Sequence, residues 1–311
     1  MINIAHILSV VPKSAKNISN AKYKKIINYS GFKKVHILNN KSISDLVFFN
    51  IKKFFQKTKI KPKTIDCLIY SSHSRESEMP IFSASIQSKF SLRNNILCYD
   101  LPNSCSGFTN SLIHAYSLIR SGVVKNLLII CADAHSKISK NNNLKNIIGD
   151  ACSCIFIEKN SKNTFHQDFG VDGQNNDSLS IKETSGIKKL NMDGLRVFEF
   201  AIKRVPQTVS NVLKKSRLSF KDLDYYSFHQ PNKTILGHLT KKLNLNPNKM
   251  ISTFDFGNTS SPSIPLALSK NFKDKYIYNK KFLFSGFGAG LQWSSVIINL
   301  KKTFIHKIYY L

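Results

Sequence analysis

Short runs with no polar face recur along this chain and limit what it can become. Residues 65–71 (IDCLIYS), 127–132 (LLIICA) and 151–157 (ACSCIFI) are almost wholly apolar or small. A strand that lacks a polar face needs cover on both sides, the situation of a sheet held between helices. A first strand fits residues 1–13, a helix fits 81–90 and another short strand fits 96–100. Residues 105–119 then carry Phe108, Leu112, Ala115, Tyr116 and Ile119 at the three-and-four spacing of a helix face, and the pattern stops at Ser121-Gly122. This alternation predicts a layered α/β architecture with mostly parallel strand pairing.

Residues 158–192 turn polar and rich in Gly, Asn, Asp and Ser, which reads as a loop-bearing junction. Beyond it the style of the first half returns. A helix spans 195–216, kinked or restarted at Pro206; a strand covers 225–228, a helix 233–243 and a short strand 250–253; a helix begins near Ser261 and strands close the chain. Two similar βαβ-rich halves, 1–160 and 161–311, suggest an internal duplication at the level of fold. The uncharged run 282–300 is long enough to cross a bilayer, yet it holds Gly286, Gly288, Gly290, Gln292 and Asn299 and fits a strand, a glycine turn and a second strand better.

Composition excludes disorder and small disulfide scaffolds, because 311 residues with 42% apolar content can bury a substantial core. The net charge of +28 rests on 40 Lys and only 6 Arg, scattered from Lys13 to Lys307. Nucleic-acid footprints concentrate into Arg-rich stripes, so nucleic acid is not an expected partner, and neither is a membrane. Two explanations of the charge stand: the codon drift of an A/T-rich genome, or docking of an acidic protein partner. The first residues lack the leading charge and cleavage site of a signal peptide, and the six cysteines lie mostly in apolar runs, so a cytoplasmic chain with free thiols is expected. Cys152 and Cys154 have no second pair at metal-site spacing, and no metal is expected.

Four places could carry chemistry. Cys105 follows a strand and opens a predicted helix, where free N–H groups and the helix dipole favour thiolate over thiol; a buried structural Cys is the plain alternative. His229 follows the strand 225–228, at the carboxyl end where open α/β sheets bind ligands, although a lone His is often structural. Gly257-Asn258-Thr259-Ser260 precedes a helix and reads equally well as its N-cap. The turn Phe287-Gly288-Ala289-Gly290 could aim backbone N–H groups at an oxyanion.

Taken in order, NSCSGF at 103–108, SGVVKNLLIICAD at 121–133, Gly149-Asp150, FHQPN at 228–232, GNTS at 257–260 and GFGAGLQW at 286–293 resemble the β-ketoacyl-acyl-carrier-protein synthase III family of the thiolase superfamily. The resemblance runs from about residue 65 to 298. It implies a thiolase-like fold, two halves in a five-layered α-β-α-β-α arrangement, and a homodimer. It implies an acyltransferase in which Cys105 takes an acyl group from acyl-CoA or an acyl carrier protein. His229 and Asn258 would then polarise the thioester of a malonyl carrier protein for decarboxylative condensation, giving a 3-oxoacyl thioester for fatty-acid initiation or a dedicated acyl or polyketide-type pathway. The backbone N–H groups of Cys105 and Ala289 would form the oxyanion hole; Ala289 stands where the family usually has Gly. No permanently bound cofactor is implied.

The chain departs from the family where a Trp and Arg residues near the N-terminus grip coenzyme A, and where an Arg docks the carrier protein. No Trp and no Arg precede Arg75, and around residues 24–36 only Lys25, Lys33 and Lys34 offer charge; Lys33 is the candidate there, though Lys cannot stack or fork as Arg does. Thr234 stands at the position of a docking Arg, leaving Lys233, Lys241, Lys242, Lys214 and Arg204 as candidates for the acidic carrier protein, or as an ordinary solvated face. Met79, Phe287 and Gly288 are the candidate pocket residues, with Met79 at the position that caps the acyl pocket across the family's dimer. Rival functions are acyl transfer to a hydroxyl or amine, non-decarboxylative condensation with Glu76 or Glu78 as its base, and a non-catalytic basic binding protein.

Overall fold

Apolar residues on both faces of the predicted strands are what build this fold. The structure, a computed structural model, describes residues 1–18, 24–74, 76, 79–138, 143–160 and 163–311. In chain order the first half contains β1 (Ile2–Val11), β2 (Ala15–Asn17), α1 (Lys24–Ser30), β3 (Lys34–His36), α2 (Ile43–Thr58), β4 (Cys67–Ser71), α3 (Phe82–Lys89), β5 (Leu97–Leu101), α4 (Gly107–Arg120), β6 (Asn126–Asp133) and β7 (Ala151–Lys159). The second half contains β8 (Phe165–Val171), β9 (Leu179–Thr184), β10 (Ile187–Met192), α5 (Gly194–Ser216), β11 (Tyr225–Phe228), α6 (Lys233–Lys242), α7 (Ser263–Phe272), β12 (Lys275–Gly288), β13 (Gln292–Ile305) and β14 (Tyr309–Tyr310).

The two halves repeat one strand order. In the first, β5, β4 and β6 run parallel, and β7 and then β1 join antiparallel. In the second, the isolated bridge at Met250, β11 and β12 run parallel, and β13 and then β8 join antiparallel. A short parallel contact, His6 with Phe304 and Ile7 with Ile305, ties β1 to β13. Side-chain alternation then sets five layers. Leu68, Tyr70, Leu128 and Ile130 face α2 and α3, while Cys67, Ile69, Leu127 and Ile129 face a central layer made by α4 and α7. From the other side Phe282, Phe284, Val296 and Ile298 meet that same central layer, and Leu283, Ile297 and Phe228 face α5 and α6. The fold is therefore the thiolase-like α-β-α-β-α arrangement.

Several expectations are corrected. Pairing is mixed rather than mostly parallel, because β7 runs antiparallel to β6 and β1, and β13 antiparallel to β12 and β8. The polar stretch after residue 158 is no mere loop: β8 is a sheet strand, and β9 and β10 form a hairpin with Leu179, Ile181, Leu190 and Met192 alternating along it. Residues 250–253 make a lone bridge instead of a strand. Helix α5 continues through Pro206 without a restart. The apolar run 282–300 is the end of β12, a glycine turn and β13, as expected, and among the described residues no helix is long and apolar enough to cross a membrane. Helix α2 went unread although Ser42 and Asp45 make a capping box at its start.

Leu112, fully buried on α4 between the two sheets, offers a direct test of the central layer. Leu112→Ala should cost about 2–5 kcal/mol in chemical denaturation. A loss under about 1 kcal/mol would mean that the two sheets close over the space.

Candidate functional site

Three turns from different parts of the chain meet around one sulfur. After β5 the backbone enters a 3-10 turn, Ser104–Ser106, with Ser104 in the left-handed region at φ 46°. Cys105 therefore sits one turn ahead of α4 and does not open it. Helix α4 starts at Gly107, where any Cβ would lie 2.1 Å from Ser71 Oγ at the end of β4. From the second half, the turn after β12 presses its backbone on the same place: a Cβ on Gly288 would lie 2.7 Å from Cys105 Cβ and 3.2 Å from Sγ. The third turn brings Ser260, at φ 60°, so that its hydroxyl stands 3.5 Å from Cys105 Sγ, with Ser104 Oγ 3.7 Å away.

The resting charge of this cluster differs from the expectation. Burial pushes the Cys105 thiol up to about 11, against the opposing hydrogen bonds of Ser260 and Ser104. The helix end does not make a thiolate here because removal of water costs the anion more than the dipole and the hydroxyls return. His229 is buried too, and burial pushes its imidazole down to about 3 against the pull of the Asp133 carboxylate and a backbone hydrogen bond at Ser260. The pair at rest is a neutral thiol and a neutral imidazole.

His229 is held at the end of β11 by its own N–H, which donates to Ser285 O at 2.8 Å. Its Nδ1 lies 2.9 Å from Ser263 Oγ, and its ring stands edge-on to Phe287 with centroids 5.4 Å apart. Asn258 donates its backbone N–H to Ile147 O, and its backbone C=O accepts from Gly149 N–H. Gly149 has no room for a Cβ, which would lie 1.9 Å from Phe256 O, so the Gly149-Asp150 motif serves this close strand contact. The Asn258 side-chain oxygen accepts from Ser260 N–H at 3.0 Å, leaving its NH2 as the donating end.

Cys105, His229, Asn258, Phe287, Gly288 and Ala289 all line one cavity of about 330 Å³. One wall is the β9–β10 hairpin, through Leu179, Ile181, Leu190 and Met192. Sequence reasoning passed over that wall, although its period-two alternation was present in a stretch dismissed as polar. It gave no separate role to Ser104 or Ser260 and passed over Ser263 and Asp133; Asp133 is fully buried and accepts from Ser261 N–H and Oγ, over a hundred residues away.

Other candidates are not brought to this cavity. Met79 is 89% exposed and does not line it. Lys33 and Lys233 line a separate surface groove with Lys270 and Lys273. Lys214 and Lys242 face another groove between α5 and α6, while Arg204 stacks on Trp293 at 5.2 Å, so the basic candidates do not form one surface. Thr234 donates its hydroxyl to Tyr29 O. Glu76 accepts from Ser44 Oγ at 2.6 Å, outside the cavity of Cys105, and Glu78 lies outside the described residues. Cys152 and Cys154 are buried in the α2-facing core, and among the described residues no group of His, Cys, Asp and Glu is arranged to hold a metal.

Comparison with known proteins shows the family and the fold. Profiles described as 3-oxoacyl-[acyl-carrier-protein] synthase III and as its C-terminal part match residues 99–173 and 213–300. A β-ketoacyl-[acyl-carrier-protein] synthase III of Lactococcus lactis subsp. lactis is 32% identical over 295 residues, 88% of this chain and 90% of the relative. The chain belongs to the β-ketoacyl-[acyl-carrier-protein] synthase III family. It is an acyltransferase-type condensing enzyme. The fold agrees as well: a 3-oxoacyl-(acyl-carrier protein) synthase from Burkholderia xenovorans superposes with a TM-score of 0.93 at 24% identity, covering 100% of this chain and 97% of that one. The priming β-ketosynthase of the R1128 polyketide pathway gives 0.89 at 22%, covering 97% of each.

Two expected outcomes follow for this synthase. Alkylation of Cys105 by iodoacetamide should rise about tenfold per pH unit through the neutral range without levelling, since only the thiolate reacts; a plateau below pH 9 would contradict a thiol near 11. Gly288→Ala should lower turnover by at least about tenfold with the fold kept, because the added methyl reaches Cys105 where about 1–3 kcal/mol of overpacking is expected. Wild-type turnover in that variant would show that the glycine turn does not bear on the sulfur.

Proposed function

We propose that this synthase takes an acyl group onto Cys105 from acyl-CoA or an acyl carrier protein and condenses it with malonyl carrier protein. The observation that carries this is the meeting of Cys105, His229, Asn258 and the Gly288-Ala289 turn in one cavity with apolar walls. In the first step Sγ attacks the thioester carbon. Because thiol and imidazole are both neutral at rest, the proton leaves Sγ as the new C–S bond forms, with no prior ion pair, and ends on the carrier sulfur as the old C–S bond breaks and the carrier departs as a free thiol. The backbone N–H groups of Cys105 and Ala289 face the new oxyanion, a role supported by the close approach of the two turns, a Cβ on Gly288 being 3.6 Å from Cys105 N.

In the second step the tautomer of His229 that serves carries its proton on Nε2, so that Nδ1 accepts from Ser263 Oγ 2.9 Å away, and Asn258 offers its NH2. Both donate to the malonyl thioester oxygen while CO2 departs, and the enolate carbon attacks the acyl-Cys105 carbon. The products are CO2, a 3-oxoacyl thioester and the Cys105 thiolate, which takes up a proton. A neutral imidazole suits this role, because charging His229 would cost its burial energy. Decarboxylation supplies the carbanion, so no general base is needed at the acceptor, and with Glu76 tied to Ser44 this favours decarboxylative over non-decarboxylative condensation. Acyl transfer to a hydroxyl or amine is the second reading.

The setting of the reaction belongs to the same proposal. The acidic carrier protein docks on the cations of α5 and α6, among Lys233, Lys241, Lys242, Lys214 and Arg204, Lys33 serves the coenzyme A donor, and two chains pair so that exposed Met79 reaches the partner's pocket. The chain divides near residue 160 into duplicated units, supported by the repeated strand order. The enzyme works in the cytoplasm at fatty-acid initiation or in a dedicated acyl pathway; the described cysteines, all free, suit a reducing compartment.

The test is intact-protein mass spectrometry after incubation with a panel of acyl-CoA and acyl-carrier-protein thioesters. A covalent mass increase that vanishes in Cys105→Ala is expected. No adduct with any donor would overturn the reading in favour of a non-catalytic basic binding protein.

A further inference from the structure

Two hydroxyls that neither step uses touch the sulfur of Cys105. Ser104 Oγ donates to Sγ at 3.7 Å, and Ser260 Oγ lies 3.5 Å from Sγ and 3.5 Å from Ser104 Oγ. They come from opposite halves of the chain, and both residues are buried. Each also sits in the left-handed backbone region, at φ 46° and φ 60°, which residues other than glycine seldom adopt and which persists only where the surroundings over-determine it. Those surroundings are present. Ser104 C=O accepts from Gly107 N–H. Ser260 N–H donates to Asn258 Oδ1 at 3.0 Å, Ser260 C=O accepts from Ser263 N–H at 3.1 Å, and the next residue, Ser261, is clamped by its N–H and Oγ to the buried Asp133 carboxylate.

Condensation makes a demand at this sulfur. When the enolate carbon bonds to the acyl carbon, the acyl carbon–Sγ bond breaks and its electron pair stays on Sγ. Burial opposes that charge, as the rise of the thiol to about 11 records, and a sulfur leaves more slowly the higher its thiol lies. The other donors serve elsewhere: the N–H groups of Cys105 and Ala289 face the acyl oxygen, and His229 and Asn258 the malonyl oxygen. Among the described residues, the side-chain donors within hydrogen-bond distance of Sγ are the hydroxyls of Ser104 and Ser260. At rest Sγ and Ser260 Oγ can each donate to the other, whereas a sulfur that carries charge only accepts, so both hydroxyls then turn to it. A bond that strengthens as charge develops stabilises the transition state more than the ground state.

From this placement of two fixed hydroxyls against one reacting atom, we propose that Ser104 and Ser260 are catalytic residues that donate to the Cys105 sulfur as it becomes the leaving group of the condensation. The proposal rests on the Cys105 reading above and adds the groups that act on the departing sulfur. The same two bonds serve the first step, where Sγ gains negative character as its proton leaves. Neither serine gives up its proton: Sγ departs as the thiolate, held by both hydroxyls, and takes a proton from water once the product has left.

The test uses Ser104→Ala, Ser260→Ala and the double variant, which keep the Cβ and remove only the hydroxyl. The acyl-enzyme, prepared with acetyl, butyryl or hexanoyl thioesters of coenzyme A or acyl carrier protein, is mixed with saturating malonyl carrier protein, and loss of the acyl group is followed by quenched intact-protein mass spectrometry. Each single variant should lose it at least about threefold more slowly than the wild type and the double variant at least about tenfold more slowly, with the half-saturating malonyl carrier protein changed by less than about twofold. Iodoacetamide alkylation of Cys105 at pH 8, read at its own peptide, should slow in the same order, whereas hydroxyls that only fill space would on removal leave the sulfur more open and its alkylation unchanged or faster. Thermal unfolding of each variant reports folding independently. In a folded double variant, condensation within about twofold of the wild type, or alkylation that is unchanged or faster, overturns this inference alone. A wild-type protein that no thioester acylates overturns the Cys105 reading with it.

Discussion

The close docking of two backbone turns, Ser104–Ser106 from one half and Gly286–Gly288 from the other, is the contact on which the rest of this structure depends. Gly286 faces Ser106 Cα, and Gly288 faces Cys105, each at a separation that leaves no space for a side chain. Such an approach needs both sheets held at a fixed distance. The central layer supplies that distance: α4 and α7 pack Phe108, Leu112, Ile264 and Leu268 against strands of both halves. The two turns are the ends of elements already locked by that packing, so the site inherits its precision from the core.

Burial, more than any individual charge, sets the chemical state of the site. The same exclusion of water raises the Cys105 thiol and lowers the His229 imidazole, so the two groups that would pair as ions in an open cleft stay neutral. The Asp133 carboxylate beneath them is kept by donors from both halves, Ser261 on one side and His73 and Ser74 on the other. One buried acid thereby ties β6 of the first half to the segment leading into α7. The serines at φ 46° and 60° beside the sulfur belong to the same economy of space, since each is held in a backbone region that non-glycine residues seldom adopt.

Much of the fold was legible because strands covered on both faces, such as 67–71 and 126–133, leave unbroken apolar runs, and because α4 carries a clear helical stripe. The family motifs at 103–108, 228–232, 257–260 and 286–293 marked the candidate residues that share the cavity for the same reason: short turns must place particular small or polar residues in a row. Legibility ended where the signal was not local. Strand sense cannot be read from periodicity, so the antiparallel placement of β7 and β13 was missed. The β9–β10 hairpin hid within a polar stretch because its apolar face is only two rungs long.

The sequence alone determined the layered class of the fold, the family, and the identities of Cys105, His229 and Asn258 as the residues to watch, since each follows from composition or order along a short segment. Only the tertiary structure decided which groups share a cavity, what protonation state burial imposes on them, and that His73 and His135 line the space beside Cys105 while Lys33, Met79 and Arg204 stand elsewhere. The physical reason is that dehydration and contact between distant segments are properties of the packed whole, and neither is written in the spacing of residues along the chain.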